Sequence, residues 1–192
     1  MDERALIAAA RQGDTHAFNQ LVLSYQSMVY NLAYRILGDP EAAADASQET
    51  FLSAFRAIRR FRGGSFKVWL LRIATNACYD QLRLKQRRPT SPLNALSERS
   101  ASLIESAEGP EEHALRRELS EVIQRGIQTL PPDQRVTLVL SDVQGMSYKE
   151  IAAITKTSLG TVKSRLSRAR AKLRDFLEQE ELLPNRYRLE NS

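Results

Sequence analysis

The sequence has a single cysteine, Cys78. A disulfide framework and a thiolate metal cluster are therefore both excluded within the chain. Its two histidines, His16 and His113, lie far apart with no ligand spacing around them. No metal site and no cofactor is expected. No nucleophile–base pair or phosphate loop stands out, so catalysis is not expected either. No apolar run approaches the ~20 residues that a membrane helix needs. The N-terminus, MDERALIAAARQGD, is charged where a signal peptide is apolar. The strict alternation that marks strands is absent. These absences predict a soluble cytoplasmic protein built from helices.

What is present fits that expectation. Of 192 residues, 42% are hydrophobic, enough for a core. Lys plus Arg number 28 against 23 Asp plus Glu, a net charge of +5. So mild an excess makes its distribution more informative than its sum. After Asp14, a predicted N-cap, Phe18, Leu21, Val22, Tyr25, Met28, Val29, Leu32, Ala33, Ile36 and Leu37 keep a helical period to Gly38. Asp39-Pro40 restarts a helix that is expected to run to Gly63-Gly64. Another is expected from Ser65 to Lys85. Pro89 to His113 is rich in Ser, Pro, Ala and Glu without a period, and is predicted to be a linker. The period returns with Leu119, Val122, Ile123, Ile127 and Leu130 and stops at Pro131-Pro132. Asp133 is the expected cap of the next helix, with Val136, Val139, Leu140 and Val143 turned inward and Gly145 at its end. Ser147 and Glu150 have capping-box spacing ahead of Ile151, Ala152 and Ile154.

The polar turn TKTS leads to GTVKSRLSRARAKLR, which has six cations and no acid. A short capped helix, a tight turn and a basic helix match a helix-turn-helix, expected at about 148–167. At about 100° per residue, Val162, Leu166, Ala169 and Leu173 fall on one side. Opposite lie Ser164, Ser167, Arg168 and Ala171. Thr161, Arg165 and Lys172 flank one edge; Lys163, Arg170 and Arg174 flank the other. Such a strip can meet base edges in a major groove while its margins meet phosphates. A solvated basic helix is the plainer reading. It is disfavoured by the absence of a compensating Glu at i−4 and by the capped helix in front.

From Arg56 to Arg88 there are ten basic residues and one acid, Asp80. Leu70, Leu71, Ile73, Ala74, Ala77, Cys78 and Leu82 form the expected buried arc there. Trp69, Arg72, Asn76, Tyr79 and Arg83 lie opposite, where rings can stack on unpaired bases and guanidiniums meet phosphates. For Trp69, stacking and a packing role against the neighbouring helix both remain open. DASQETF sets Asp45, Gln48 and Glu49 on one face and turns Phe51 and Phe55 toward another. An acidic face in a basic domain avoids DNA and suits a protein partner.

Three stretches together resemble the extracytoplasmic-function sigma factors of the bacterial sigma-70 family. DASQETFLSAFRAI is similar to the segment that binds the β′ clamp helices of core RNA polymerase. FRGGSFKVWLLRIATNACYD is similar to the −10 recognition and strand-opening segment. LPPDQRVTLVLSDVQGMSYKEIAAITKTSLGTVKSRLSRARAKL is similar to the −35-binding domain. The resemblance implies two helical domains: region 2 at 1–88 and region 4 at 114–178, with a flexible linker at 89–113 and a tail at 179–192. It implies core contact by Asp45, Gln48, Glu49 and Phe51. Arg62, Phe66, Trp69, Arg72, Asn76 and Tyr79 would engage the −10 element. Thr161, Lys163, Ser164, Arg165, Ser167, Arg168 and Lys172 would engage the −35 element. Promoter DNA, core polymerase and, for many members, an anti-sigma factor are the implied partners, and a stress or envelope response is the implied setting. The loop from Phe61 to Phe66 is one residue shorter than the common pattern, with Gly64 where an acid is frequent. The short stretch that ends the sequence implies no fused sensory domain.

The linker's reach is adequate. Pro89 to His113 spans about 80 Å extended, at about 3.3 Å per residue. Sites one and a half DNA turns apart are roughly 50 Å apart. A helix-turn-helix regulator that never binds core polymerase is the alternative. It accounts for the C-terminal half alone and leaves the acidic face and the Trp-Arg-Asn face unused.

Overall fold

The computed structural model describes residues 2–87 and 110–180, and among these all regular structure is helical. In chain order the helices are α1 (Glu3–Arg11), α2 (Thr15–Leu37), α3 (Pro40–Ala57), α4 (Phe66–Arg87), α5 (Pro110–Thr129), α6 (Pro132–Leu138), α7 (Tyr148–Thr155) and α8 (Leu159–Gln179). The expected tail at 179–192 lies almost wholly outside the described residues. So does most of the expected linker, but α5 begins at Pro110 and so takes in the last residues assigned to it.

Local signals explain most of these boundaries. The Asp14 carboxylate accepts from His16 N–H at 2.8 Å and Ala17 N–H at 3.1 Å, which opens α2. Gly38, at φ 71°, takes the left-handed conformation that closes it. Asp39 caps α3 through Ala42 N–H at 2.9 Å. The α3 helix ends sooner than expected, because Ile58–Arg60 tightens into a 3₁₀ turn before the Gly63-Gly64 loop. Ser147 and Glu150 form a complete capping box at α7. Lys156, at φ 54°, is left-handed and makes the sharp turn into α8, whose N-cap is Ser158.

Three expectations about helices are corrected. Residues 3–11 form α1, left unassigned in the sequence. Leu6 and Ala10 are buried on it, and Ile7 and Ala9 pack beside them on one apolar face. The N-cap of α6 is Pro131 rather than Asp133, which lies in the first turn with its side chain free for other partners. Val139–Val143 winds as a π-helix, with Gln144 N–H donating to Val139 O at 3.0 Å. The wider turn rotates Val143 outward, 46% exposed, where an ideal α-helix would bury it.

α1 to α4 pack as one bundle and α5 to α8 as another, and the two share a continuous apolar core. Val29, Leu32, Ile36, Leu70 and Leu71 fill the first, and Leu140, Ile151, Val162 and Leu166 fill the second; all nine are buried. α4 is covered on both flanks, by α2 and α3 on one side and by α6 and α7 on the other. Gly126 lets α5 approach α8, since a Cβ there would lie 2.6 Å from Leu173 and 2.7 Å from Phe176.

Candidate nucleic-acid interface

On α8 the apolar arc seats the helix, as the period predicts. Val162, Leu166 and Ala169 are buried and Leu173 packs on their edge. Lys163, Ser164, Ser167, Arg168 and Lys172 are consequently exposed. Ser158 Oγ accepts from Thr161 N–H at 3.1 Å and lies 2.9 Å from Thr161 Oγ1, so Thr161 is tied to the helix start. Not all the cations are available. Arg170 makes a forked pair with Asp142, at 3.0 Å from Nε and 2.6 Å from Nη2. Burial pushes the Asp142 carboxyl up, but the Arg170 and Ser141 hydrogen bonds outweigh it and leave it below the ordinary value. Arg165 is paired with Asp133 and is mostly covered. Arg168, Lys163 and Lys172 have no acidic partner among the described residues.

On α4 the sequence-derived face divides. Arg72 and Asn76 are exposed, as is Arg62 in the preceding loop. Phe66, expected among the −10 contacts, is only 3% exposed. It stacks edge-on to Phe61 at 5.8 Å and Tyr25 at 5.4 Å. Trp69 wedges against Phe61 at 5.2 Å and Phe66 at 5.3 Å, with part of the indole still at the surface. The packing role left open for Trp69 is therefore present. Tyr79 is half-buried, and its hydroxyl donates to Asp133 Oδ1 at 3.0 Å. Burial first, and then the Asp133 charge, push that phenol well above its ordinary value. The period sets Trp69 and Tyr79 opposite the apolar arc, and both are half-buried because α4 has a second packing flank. Thr75, assigned to neither face, is buried.

A cleft of about 530 Å³ opens beside Trp69, lined by Arg60, Arg62, Arg72 and the Gly63 loop on one side and by Glu150 and Ala153 of α7 on the other. It is cationic and aromatic on the α4 side. That combination can hold an unpaired base by its face and its phosphate by guanidinium.

On α3 the polar stripe is separate from both basic faces. Asp45, Gln48 and Glu49 are exposed, and Leu52, 44% exposed, continues the same face one turn on. Leu52 was missed; its i+7 spacing from Asp45 was the available signal. Phe51, which the period turns toward another face, is partly buried and packs against the core. Among the described residues no cluster of three or more His, Cys, Asp or Glu could hold a metal. No helix among them is long and apolar enough to cross a membrane.

Comparison with known proteins follows the same division of the chain. The family described as sigma-70 region 2 matches residues 21–88, and sigma-70 region 4 matches residues 120–173. An RNA polymerase sigma-H factor of Pseudomonas aeruginosa is 38% identical over 175 residues, covering 88% of this chain and 90% of that protein. The ECF RNA polymerase sigma-E factor of Escherichia coli K12 is likewise 38% identical, with 88% and 91% covered. Among solved structures, CnrH in complex with the cytosolic domain of CnrY has a TM-score of 0.69 at 30% identity, covering 93% of this chain and 99% of that one. The sigma factor RpoE of Bartonella quintana, in complex with the anti-sigma factor NepR, has a TM-score of 0.65 at 27% identity, covering 84% and 96%. The chain belongs to the sigma-70 family, as an RNA polymerase sigma factor of its extracytoplasmic-function branch.

Proposed function

We propose that this sigma factor carries core RNA polymerase to specific promoters in the cytoplasm and helps to open the DNA there. It is an initiation factor; the chemistry of RNA synthesis belongs to the polymerase. The observation that carries this reading is the separation of three exposed faces on three helices. In this assignment the α3 stripe of Asp45, Gln48, Glu49 and Leu52 docks on core polymerase, at the β′ clamp helices. Arg62, Arg72 and Asn76, with the free edge of Trp69, hold −10 bases beside the cationic cleft. Lys163, Ser164, Ser167 and Arg168 read the −35 element, while Lys172 meets phosphate. Residues 1–88 form the first functional unit and 114–178 the second, joined through 89–113. Tyr79 and Arg165 are assigned to DNA only after they leave Asp133, and Phe66 acts by supporting Trp69 from below.

An anti-sigma partner is part of the proposal, since CnrH and the Bartonella RpoE were both solved with a bound protein partner. Such a partner suits control by a stress or envelope signal. The test is holoenzyme assembly and run-off transcription. Reversing Asp45 and Glu49 together to Lys is expected to abolish binding to core polymerase while helicity persists. A double variant that assembles at wild-type affinity would mean that the stripe is merely solvated. It would also restore the regulator that works without core polymerase.

A further inference from the structure

α1 lies outside residues 21–88, the stretch that sigma-70 region 2 matches. It nevertheless braces both ends of the loop that borders the cationic cleft. That loop runs from the 3₁₀ turn at Ile58–Arg60 to Phe66, the first residue of α4. In its middle, a Cβ on Gly63 or Gly64 would meet nothing within 4 Å. Packing therefore does not set the middle of the loop, and its shape depends on how firmly its ends are held.

At the first end, α1 packs on the 3₁₀ turn. The fit is close, since a Cβ on Gly13, just past α1, would lie 3.1 Å from Arg59 Nη2. At the second end, the Tyr25 hydroxyl donates to Glu3 Oε2 of α1 at 2.6 Å. Burial first, and then the Glu3 bond and charge, push that phenol well above its ordinary value, so it stays a donor. The Tyr25 ring meets Phe66 edge-on at 5.4 Å, and Phe66 lies 5.3 Å from Trp69. Phe61 closes the set, 5.8 Å from Phe66 and 5.2 Å from Trp69. Rings at these separations hold one another's orientation. Phe61 and Phe66 are both buried, so a shift of one ring is passed to the next. A carboxylate on α1 is thus connected, through one phenol and one buried ring, to the indole at the cleft.

We propose that α1 is a positioning element for the −10 contacts, with Glu3 and Tyr25 as positioning residues that act through Phe66 on Trp69 and on the Phe61–Phe66 loop. This rests on the promoter-reading roles assigned above. Neither residue meets DNA itself: Tyr25 supports Phe66 from behind, and Glu3 holds Tyr25. A loop pinned at both ends presents Arg62, Trp69 and Arg72 at one spacing. A loop freed at one end has to be ordered again each time a base is captured, and that cost is subtracted from binding.

Trp69 is the single tryptophan of the chain, so its emission reports the surroundings of the indole directly. Glu3→Ala and Tyr25→Phe each remove the bond and keep every ring. Glu3→Gln keeps an acceptor for the phenol and serves as the rescue. In the full free chain, Glu3→Ala and Tyr25→Phe should shift Trp69 emission to the red, and Glu3→Gln should leave it in place. In holoenzyme, affinity for a single-stranded oligonucleotide carrying the −10 element should fall about fivefold in each of the first two variants. It should fall no further in the double variant, because both remove the same bond. Glu3→Gln should bind as wild type, and affinity for a −35 duplex should not change in any of them. Binding is measured well below the thermal melt of every variant, where the folded fraction stays near one and a merely structural loss does not register. Glu3→Ala and Tyr25→Phe chains with wild-type emission and wild-type oligonucleotide affinity overturn the proposal. An emission shift with unchanged affinity also overturns it, since the bond would then order the indole without serving DNA. Arg62→Ala and Asn76→Ala holoenzymes that hold the −10 strand as wild type does would instead overturn the −10 roles on which the proposal rests.

Discussion

α4 and α8 are two long, basic, amphipathic helices, and their sequences invite the same treatment. For α8 the helical period places Val162, Leu166, Ala169 and Leu173 inward and Lys163, Ser164, Ser167, Arg168 and Lys172 outward, as found. For α4 it places Arg72 and Asn76 in solvent, as found, while Trp69 and Tyr79 on the same arc are half-buried. The difference lies in the neighbours. α8 packs its apolar arc on its partners α5, α6 and α7, and its edge cations Arg165 and Arg170 reach Asp133 and Asp142 of the same half. α4 has an apolar partner surface on one flank and a second, more polar one on the other. A half-buried flank made of Trp, Tyr and Lys leaves no hydrophobic period, because such residues bury their stems and keep a polar end for solvent or a partner. Amphipathicity therefore reports the first partner of a helix and is silent on the second.

Truncating the aromatic flank tests this most strongly. Trp69→Ala removes a ring lodged against Phe61 and Phe66, and should cost about 3 kcal/mol in a urea melt. Arg168→Ala on α8 should cost within about 0.5 kcal/mol, as surface changes do. A Trp69→Ala chain that melts like wild type but fails to open promoters would reverse the assignment. Trp69 would then be a base-stacking residue first, and the two helices would differ less than their packing suggests.

A smaller effect sharpens the α8 side. Arg168 lies at the centre of the exposed strip with no acidic partner. In holoenzyme, Arg168→Ala should lose about 1–3 kcal/mol on the cognate −35 sequence and relax base preference at one position. Lys172→Ala should weaken all sequences alike and flatten the salt dependence of binding. Filter binding over a series of salt concentrations and single-base variants separates the two. Equal, sequence-independent losses would reduce the strip to a phosphate contact.

Much of the fold was legible because its signals are local. Asp14, Gly38, Asp39 and the Ser147–Glu150 box act within a few residues of themselves, and the structure uses each as expected. The arc on α8 and the exposed acids of α3 were legible for the same reason. Arg135, Gln124 and Gln128 were not. They are polar residues buried at a seam, and their partners are carbonyls about ninety residues earlier in the chain. Nothing in the residues around them marks a carbonyl as a distant partner. The π-helical turn at Val139–Val143 was equally silent, since five ordinary residues carry it. For the candidate site this means that the apolar arc and exposed strip of α8 are readable in sequence, while Asp133, which joins Tyr79 to Arg165, reads there only as a helix cap.

The smallest expected effect concerns two threonines that share a chemistry and differ in setting. Thr50 on α3 is buried, and its hydroxyl donates to Ala46 O at 2.6 Å, one turn back. Thr75 on α4 is also buried, but its hydroxyl finds no partner among the described residues. Valine has nearly the same shape and no hydroxyl. At Thr50 the exchange removes a satisfied bond, and should destabilise the chain by about 1 kcal/mol. At Thr75 it removes a polar group that folding strips of water without compensation, and should stabilise by about 1 kcal/mol. β-branching is the same in both residues, so helix propensity should barely enter. The pair of urea melts thus compares α3, whose buried polar group is served by its own helix, with α4, whose buried polar group is not. A loss of stability in Thr75→Val as large as that in Thr50→Val would mean that the Thr75 hydroxyl has a partner in solution. The second flank of α4 would then be better satisfied than its packing implies.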